Sequence, residues 1–174
     1  MNERRRIIGI SGWKNSGKTR MTAALVAELT ARGRVVSTVK HAHHAFDIDH
    51  EGTDSHAHRQ AGAREVAIVS GRRWALMHEL GPDEAEPPLD EILSRLGPCD
   101  LVIVEGFKRE AHPKIEMRRI QAASRDRLAG DAANIVAIVS DDPADTDDSL
   151  PVFGHDAVAA IADFIERCTG LKRP

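Results

Sequence analysis

Apolar residues in this chain fall into short β-branched runs that alternate with stretches of helical spacing, the pattern of an alternating strand and helix fold. Ile7-Ile8-Gly9-Ile10-Ser11 reads as a buried parallel strand. From Thr19 to Arg32, Met21, Ala24, Leu25, Glu28 and Leu29 keep helical spacing, and Gly33 stops the helix. Val35-Val36-Ser37-Thr38-Val39 predicts a second strand, joined to the first by a right-handed parallel crossover. His41 to Gly52 reads as a polar loop, and Thr53-Asp54-Ser55 offers caps for a helix to about Ala61, closed by Gly62. Val66 to Ser70 predicts a third strand, and Trp74 to Leu80 a fourth, antiparallel and near an edge. Beyond the acidic connector Gly81 to Pro88, Leu89, Ile92, Leu93 and Leu96 mark a helix ended by Gly97-Pro98. Leu101 to Val104, Lys114 to Arg118 and Ile135 to Val139 predict further strands, Val152-Phe153 a short last one, and Ala157 to Cys168 a closing helix. With no repeat and no boundary in the pattern, one domain over residues 1–174 is expected.

Between the first strand and the first helix lies Gly12-Trp13-Lys14-Asn15-Ser16-Gly17-Lys18-Thr19, which fits G-x-x-x-x-G-K-[ST] at every fixed position. Strand, glycine-rich turn and helix is the context that a phosphate-binding loop requires. Gly12 and Gly17 let backbone N–H groups close on phosphate oxygens, and the helix aims its positive end at the same place. Lys18 reaches the β- and γ-phosphates, and the Thr19 hydroxyl suits Mg²⁺. Lys14, Asn15, Ser16 and Arg20 are counted with the nucleotide-binding residues. The expected architecture is therefore α/β, a P-loop NTPase-like, mostly parallel sheet flanked by helices.

Composition narrows the classes. A net charge of −3 and 3% aromatic residues give neither the basic field nor the stacking platforms of a nucleic-acid surface. Cys99 and Cys168 stand far apart without CxxC spacing, which argues against a disulfide framework. No apolar run approaches the ~20 residues that span a bilayer, and Ser11 and Lys14 cut the first one too short for a secretory leader. A soluble, cytoplasmic protein is expected.

Glu105 closes the run Leu101-Val102-Ile103-Val104, the shape of a Walker B element that holds Mg²⁺ or polarises an attacking water. Asp100, at the start of that strand, reads as a cap. The segment Lys40-His41-Ala42-His43-His44-Ala45-Phe46-Asp47-Ile48-Asp49 begins where the second strand ends, the sheet edge at which nucleotide proteins bind ligands. A switch loop, a metal site and a plain solvated loop all fit it, and its histidine spacing matches no zinc signature. Asp49 and Asp54 are candidates for contacts to Mg²⁺ through water, Asp54 equally for a helix cap. Lys14 is either an extra phosphate-loop lysine or a solvated one, and Trp13 either caps a base or packs on a partner. No N-K-x-D guanine signature is present; Ser140-Asp141 occupies the matching strand end and serves either as a base reader or as the start of a turn.

The combination G-W-K-N-S-G-K-T, K-H-A-H-H-A-F-D-I-D-H-E-G-T-D-S, A-G-A, R-W-A-L-M and V-E-G-F-K resembles the molybdopterin-guanine dinucleotide biosynthesis adaptor family, MobB, from Ile7 to about Val139. The resemblance implies a cytoplasmic homodimer that binds GTP and Mg²⁺, hydrolyses GTP slowly, and assists the MobA-type guanylyltransferase that joins GMP to molybdopterin. Molybdopterin itself is a further candidate ligand. By motif, Gly12, Gly17, Lys18 and Thr19 would hold phosphates and Mg²⁺, Glu105 would take the Walker B role, and Lys40, His41, Asp49 and Asp54 would line the site. Two other classes compete. The histidine-rich loop suits a metal-insertion GTPase, and Arg118, Arg119, Arg125 and Arg127 are the candidates for the lid of a small-molecule kinase.

Overall fold

The computed structural model describes residues 5–42, 46–124, 126–128, 134–147 and 149–171. In chain order the elements are β1 (Ile7–Gly12), α1 (Lys18–Ala31), β2 (Val36–Lys40), α2 (Asp54–Gln60), β3 (Glu65–Val69), β4 (Trp74–His78), α3 (Leu89–Arg95), β5 (Leu101–Glu105), β6 (Lys114–Met117), β7 (Ile135–Ser140), β8 (Val152–Gly154) and α4 (Val158–Thr169). Packing divides the chain into two compact units, Met1–His41 with Ile92–Pro174 and, inserted between them, Ala42–Glu91. The sequence had suggested one domain. Within the insert the two strands pair with each other.

The first unit holds a six-stranded sheet in the order β2-β5-β1-β6-β7-β8. Every neighbouring pair in it is parallel. β5 slots between β1 and β2, so the first crossover passes over an intervening strand. Residues of one parity along the strands, among them Ile8, Ile10, Leu101, Ile103, Ile115, Met117, Ala137 and Val139, form one core with Met21, Leu25 and Leu29 of α1 and Ile161 and Ile165 of α4. Alternation sends Val102, Val104, Lys114, Glu116 and Ile138 to the opposite face, and these too are buried. Strands buried on both faces explain the near-continuous apolar runs seen in the sequence.

In the second unit β3 and β4 form a separate two-stranded antiparallel sheet, with Val66 opposite Met77 and Val69 opposite Trp74. The antiparallel reading of the Trp74 strand holds, but neither strand joins the parallel sheet. The turn is too short for a crossover: the Ser70 hydroxyl accepts from the N–H groups of Arg72 and Arg73 and donates to the Arg73 carbonyl. Among the described residues no helix is long and apolar enough to cross a membrane.

Candidate functional site

Parallel pairing brings the carboxyl ends of β1, β2 and β5 together. Glu105, the last residue of β5, lies in register with Ile10 on one side and Lys40 on the other. β1 then runs into residues 13–17, and α1 begins at Lys18. Asn15 (φ 66°) and Gly17 (φ 88°) both take the left-handed conformation that this tight turn demands. A Cβ on Gly12 would stand 2.5 Å from the Met117 carbonyl oxygen and from Ser16 Oγ, so only glycine fits there. α1 begins without a side-chain cap and without an acidic residue in its first turn. Its first N–H groups are thus left for another partner, and its positive end is not neutralised.

The polar groups around this loop complement a polyanion. Lys18 Nζ donates to the Trp13 carbonyl at 2.7 Å. Burial holds the Lys18 ammonium below its ordinary pKa; Glu105 works against that, and Lys108 and Lys40 add to it. Thr19 Oγ1 donates to Glu105 Oε1 at 2.9 Å, and Lys40 Nζ lies 3.7 Å from the same oxygen. A hydroxyl and a carboxylate held together form a hard oxygen donor set that fits Mg²⁺. Ser16 Oγ is buried in the loop without a hydrogen-bond partner, a group that a ligand would satisfy. His41 donates its N–H to the Glu105 carbonyl at 2.9 Å, and its ring packs on Phe107 with centroids 4.7 Å apart.

Lys18, Thr19, Lys40, His41 and Glu105 are therefore brought to one place, as the sequence suggested. Other candidates have different tasks. Arg20 is solvated, 3.9 Å from an equally exposed Asp156, and Lys14 and Asn15 are exposed. Asp141 accepts from the Ile120 N–H at 2.8 Å and lies 3.4 Å from Arg119 Nε, so it braces the segment after β6. Its neighbour Asp142 lines a cavity of about 340 Å³ with Trp13, Met117, Arg118 and Ile120. Asp100, at the start of β5, accepts from the Val35 N–H, the cap it was read as.

Asp49 and Asp54 belong to the second unit. Asp49 Oδ1 accepts from Thr53 Oγ1 (2.7 Å), Ser55 Oγ (3.0 Å) and the His50 N–H (3.0 Å). These bonds, that from Thr53 first, hold its carboxyl below the usual carboxylate range. Asp54 is exposed in the first turn of α2, where its charge suits the helix dipole. His43 and Arg125 lie outside the described residues. Two of the other lid candidates are engaged: Arg118 pairs with Glu116 at 2.8 Å and Asp145 at 3.3 Å, and Arg119 with Asp141. Among the described residues no group of three or more His, Cys, Asp or Glu side chains could hold a metal ion.

Sequence reading passed over Lys108. Its ammonium sits 4.2 Å from the centre of the Trp13 ring, and Trp13 Nε1 donates to the Asp126 carbonyl at 2.6 Å. Its only signal in the sequence was its place in V-E-G-F-K.

A parallel sheet with Walker A loop and carboxylate at its carboxyl edge defines a P-loop NTPase-like protein. Residues 7–141 match the sequence profile of MobB, described as molybdopterin guanine dinucleotide synthesis protein B. The chain is 37% identical to the molybdopterin-guanine dinucleotide biosynthesis adapter protein of Escherichia coli K12, over 91% of this chain and 90% of that one. It is 35% identical to the Haemophilus influenzae adapter protein, over 95% and 90%. The crystal structure of Bacillus subtilis MobB superposes with a TM-score of 0.76 at 22% identity, covering 96% of this chain and 99% of that one. The chain belongs to the MobB family.

Proposed function

We propose that the protein is a GTP-binding adaptor that assists the guanylyltransferase converting molybdopterin cofactor to its guanine dinucleotide, with weak Mg²⁺-dependent GTPase activity. The family's adapter role in that synthesis supports the first part. The observation that carries nucleotide binding is the Thr19–Glu105 bond beside an uncapped α1, with Lys18 resting on a carbonyl in the same loop. Gly12, Gly17 and Lys18 would hold the phosphates; Thr19 and Glu105 would hold Mg²⁺, which supplies charge neutralisation between the β- and γ-phosphates when bound. Glu105 would orient the attacking water, and it is also tied to Thr19 and Lys40. The working form would be a cytoplasmic homodimer beside a MobA-type partner. Titration with fluorescent GTP and ATP analogues in the presence of Mg²⁺ tests the nucleotide assignment. Preference for GTP is expected; preference for ATP contradicts the guanine assignment.

A further inference from the structure

We propose that Lys108 is a second phosphate-binding cation, parked on the Trp13 ring and transferred to the terminal phosphate of a bound nucleoside triphosphate. The inference rests on the phosphate-binding reading of Gly12–Thr19 made above.

The backbone first points to it. Among the described residues the only non-glycine positions with positive φ are Asn15, inside the phosphate loop, and Phe107 (φ 46°), one residue before Lys108. A bulky side chain in that conformation is strained and persists only where the surroundings impose it. Here they do. The Gly106 N–H donates to the Ile10 carbonyl (3.2 Å), the Gly106 carbonyl accepts from Ser11 Oγ (3.2 Å), and the Phe107 ring packs on His41. Gly106 itself has φ 96°, and a Cβ there would stand 2.9 Å from His41 Cβ. Two successive left-handed residues reverse the chain immediately after Glu105 and carry Lys108 to the start of the phosphate loop.

The resting place is also fixed. Trp13 follows Gly12 directly, and its indole is anchored by the bond to the Asp126 carbonyl. A lysine over an aromatic face is held by the negative face of the ring, 4.2 Å from its centre here. A charge-assisted bond to a phosphate oxygen is stronger than a neutral contact, so the ammonium leaves the ring when a phosphate arrives. Lys108 acts on the same ammonium, Lys18, that reaches the β- and γ-phosphates in loops of this type. Lys18 thus feels two further ammonium groups, those of Lys40 and Lys108, against the carboxylate of Glu105, an arrangement that suits a highly charged ligand.

The test compares GTP with GDP, both with Mg²⁺, on the full chain and on Lys108→Ala, Lys108→Gln and Lys108→Arg. Lys108→Gln keeps a polar side chain, one atom shorter, and removes the charge. Lys108→Ala and Lys108→Gln are expected to weaken GTP about tenfold, roughly one 1.4 kcal/mol interaction, with GDP changed less than about twofold; Lys108→Arg restores the difference. In a Trp74→Phe background, Trp13 emission should respond more to GTP than to GDP, and the difference should vanish in Lys108→Gln. Equal losses for GTP and GDP, or none, would overturn the proposal and leave Lys108 a packing residue of Trp13. A wild-type chain that binds neither nucleotide would overturn the loop reading, and this proposal with it.

Discussion

The starts of α1 and α2 meet the same physical demand, a first turn of N–H groups with no carbonyl to bond, and answer it in opposite ways. At α2 the chain supplies its own partners. Thr53 accepts from the His56 N–H and donates to Asp49, Ser55 joins the same carboxylate, and Asp54 adds negative charge in the first turn. At α1 no side chain caps the turn: Gly17 has none, no acid follows it in the first turn, and Lys18, Lys40 and Lys108 gather there around the one carboxylate bonded to Thr19, that of Glu105. A helix start closed by its own side chains serves stability. One left open among cations, on a loop held in left-handed turns, is prepared for an anion. Asp49 and Asp54, two of the candidates for Mg²⁺ contacts, make their bonds and place their charge at the closed start.

The comparison breaks most severely at Gly12. In Gly12→Ala the added methyl meets a backbone carbonyl that cannot swing away, so a stability loss of about 1–3 kcal/mol and a loss of nucleotide affinity greater than about tenfold are expected. Thermal unfolding with a GTP titration checks both. Normal binding in a stable Gly12→Ala protein would show that the loop is not the anion site.

Acid separates the two starts next. The His112 ring lies against Gly9 of β1, where an added Cβ would come within 2.7 Å of its Nε2, and neither ring nitrogen has a hydrogen-bond partner. Burial first, then the Lys114 charge, push its pKa down from 6.5 to about 4. A depressed folded-state pKa means the neutral ring's contribution is complete above pH 6.5 and is lost as pH falls toward 4. Allowing for solvent screening, the loss by pH 5 is of order 1 kcal/mol. Asp49, with its pKa below the usual carboxylate range, keeps its charge through that window. Amide protection factors, corrected for the intrinsic pH dependence of exchange, should therefore fall in β1 before they fall in α2 between pH 7 and pH 5, and His112→Gln should flatten the dependence. Simultaneous loosening of both would contradict the assignment.

The smallest effect belongs to the closed start. Thr53→Ala removes one cap, about 0.5–1 kcal/mol, and should raise amide exchange in α2 while leaving GTP affinity within about twofold. A large loss of affinity would mean that α2 takes part in binding.

What the sequence disclosed follows from how local each feature is. The loop from Gly12 to Thr19 is contiguous, and its chemistry is written in residue types at fixed spacing, so strand, turn and helix were legible together. Glu105 was legible because four buried apolar residues precede it. Strand order was not: Val66 to Val69 has the composition of a sheet strand, but only the short turn at Ser70 decides that it pairs with Trp74 to His78. Asp141, at the end of β7, reads equally as a base reader or the start of a turn, and only packing sends its carboxylate to the Ile120 N–H. Lys108 was hidden for a related reason. Its position depends on two backbone torsions at Gly106 and Phe107, which residue types do not encode in advance.

The open start of α1 as an anion site is the central claim, and Lys18 is its most exposed element. Calorimetric titration of the wild-type chain and of Lys18→Ala with GTP and Mg²⁺ tests it most directly. The account predicts saturable binding by the wild type and a loss of at least about 30-fold, roughly 2 kcal/mol or more, in the variant. Equal affinity in the two proteins would contradict it and place the nucleotide, if one binds, elsewhere on the molecule.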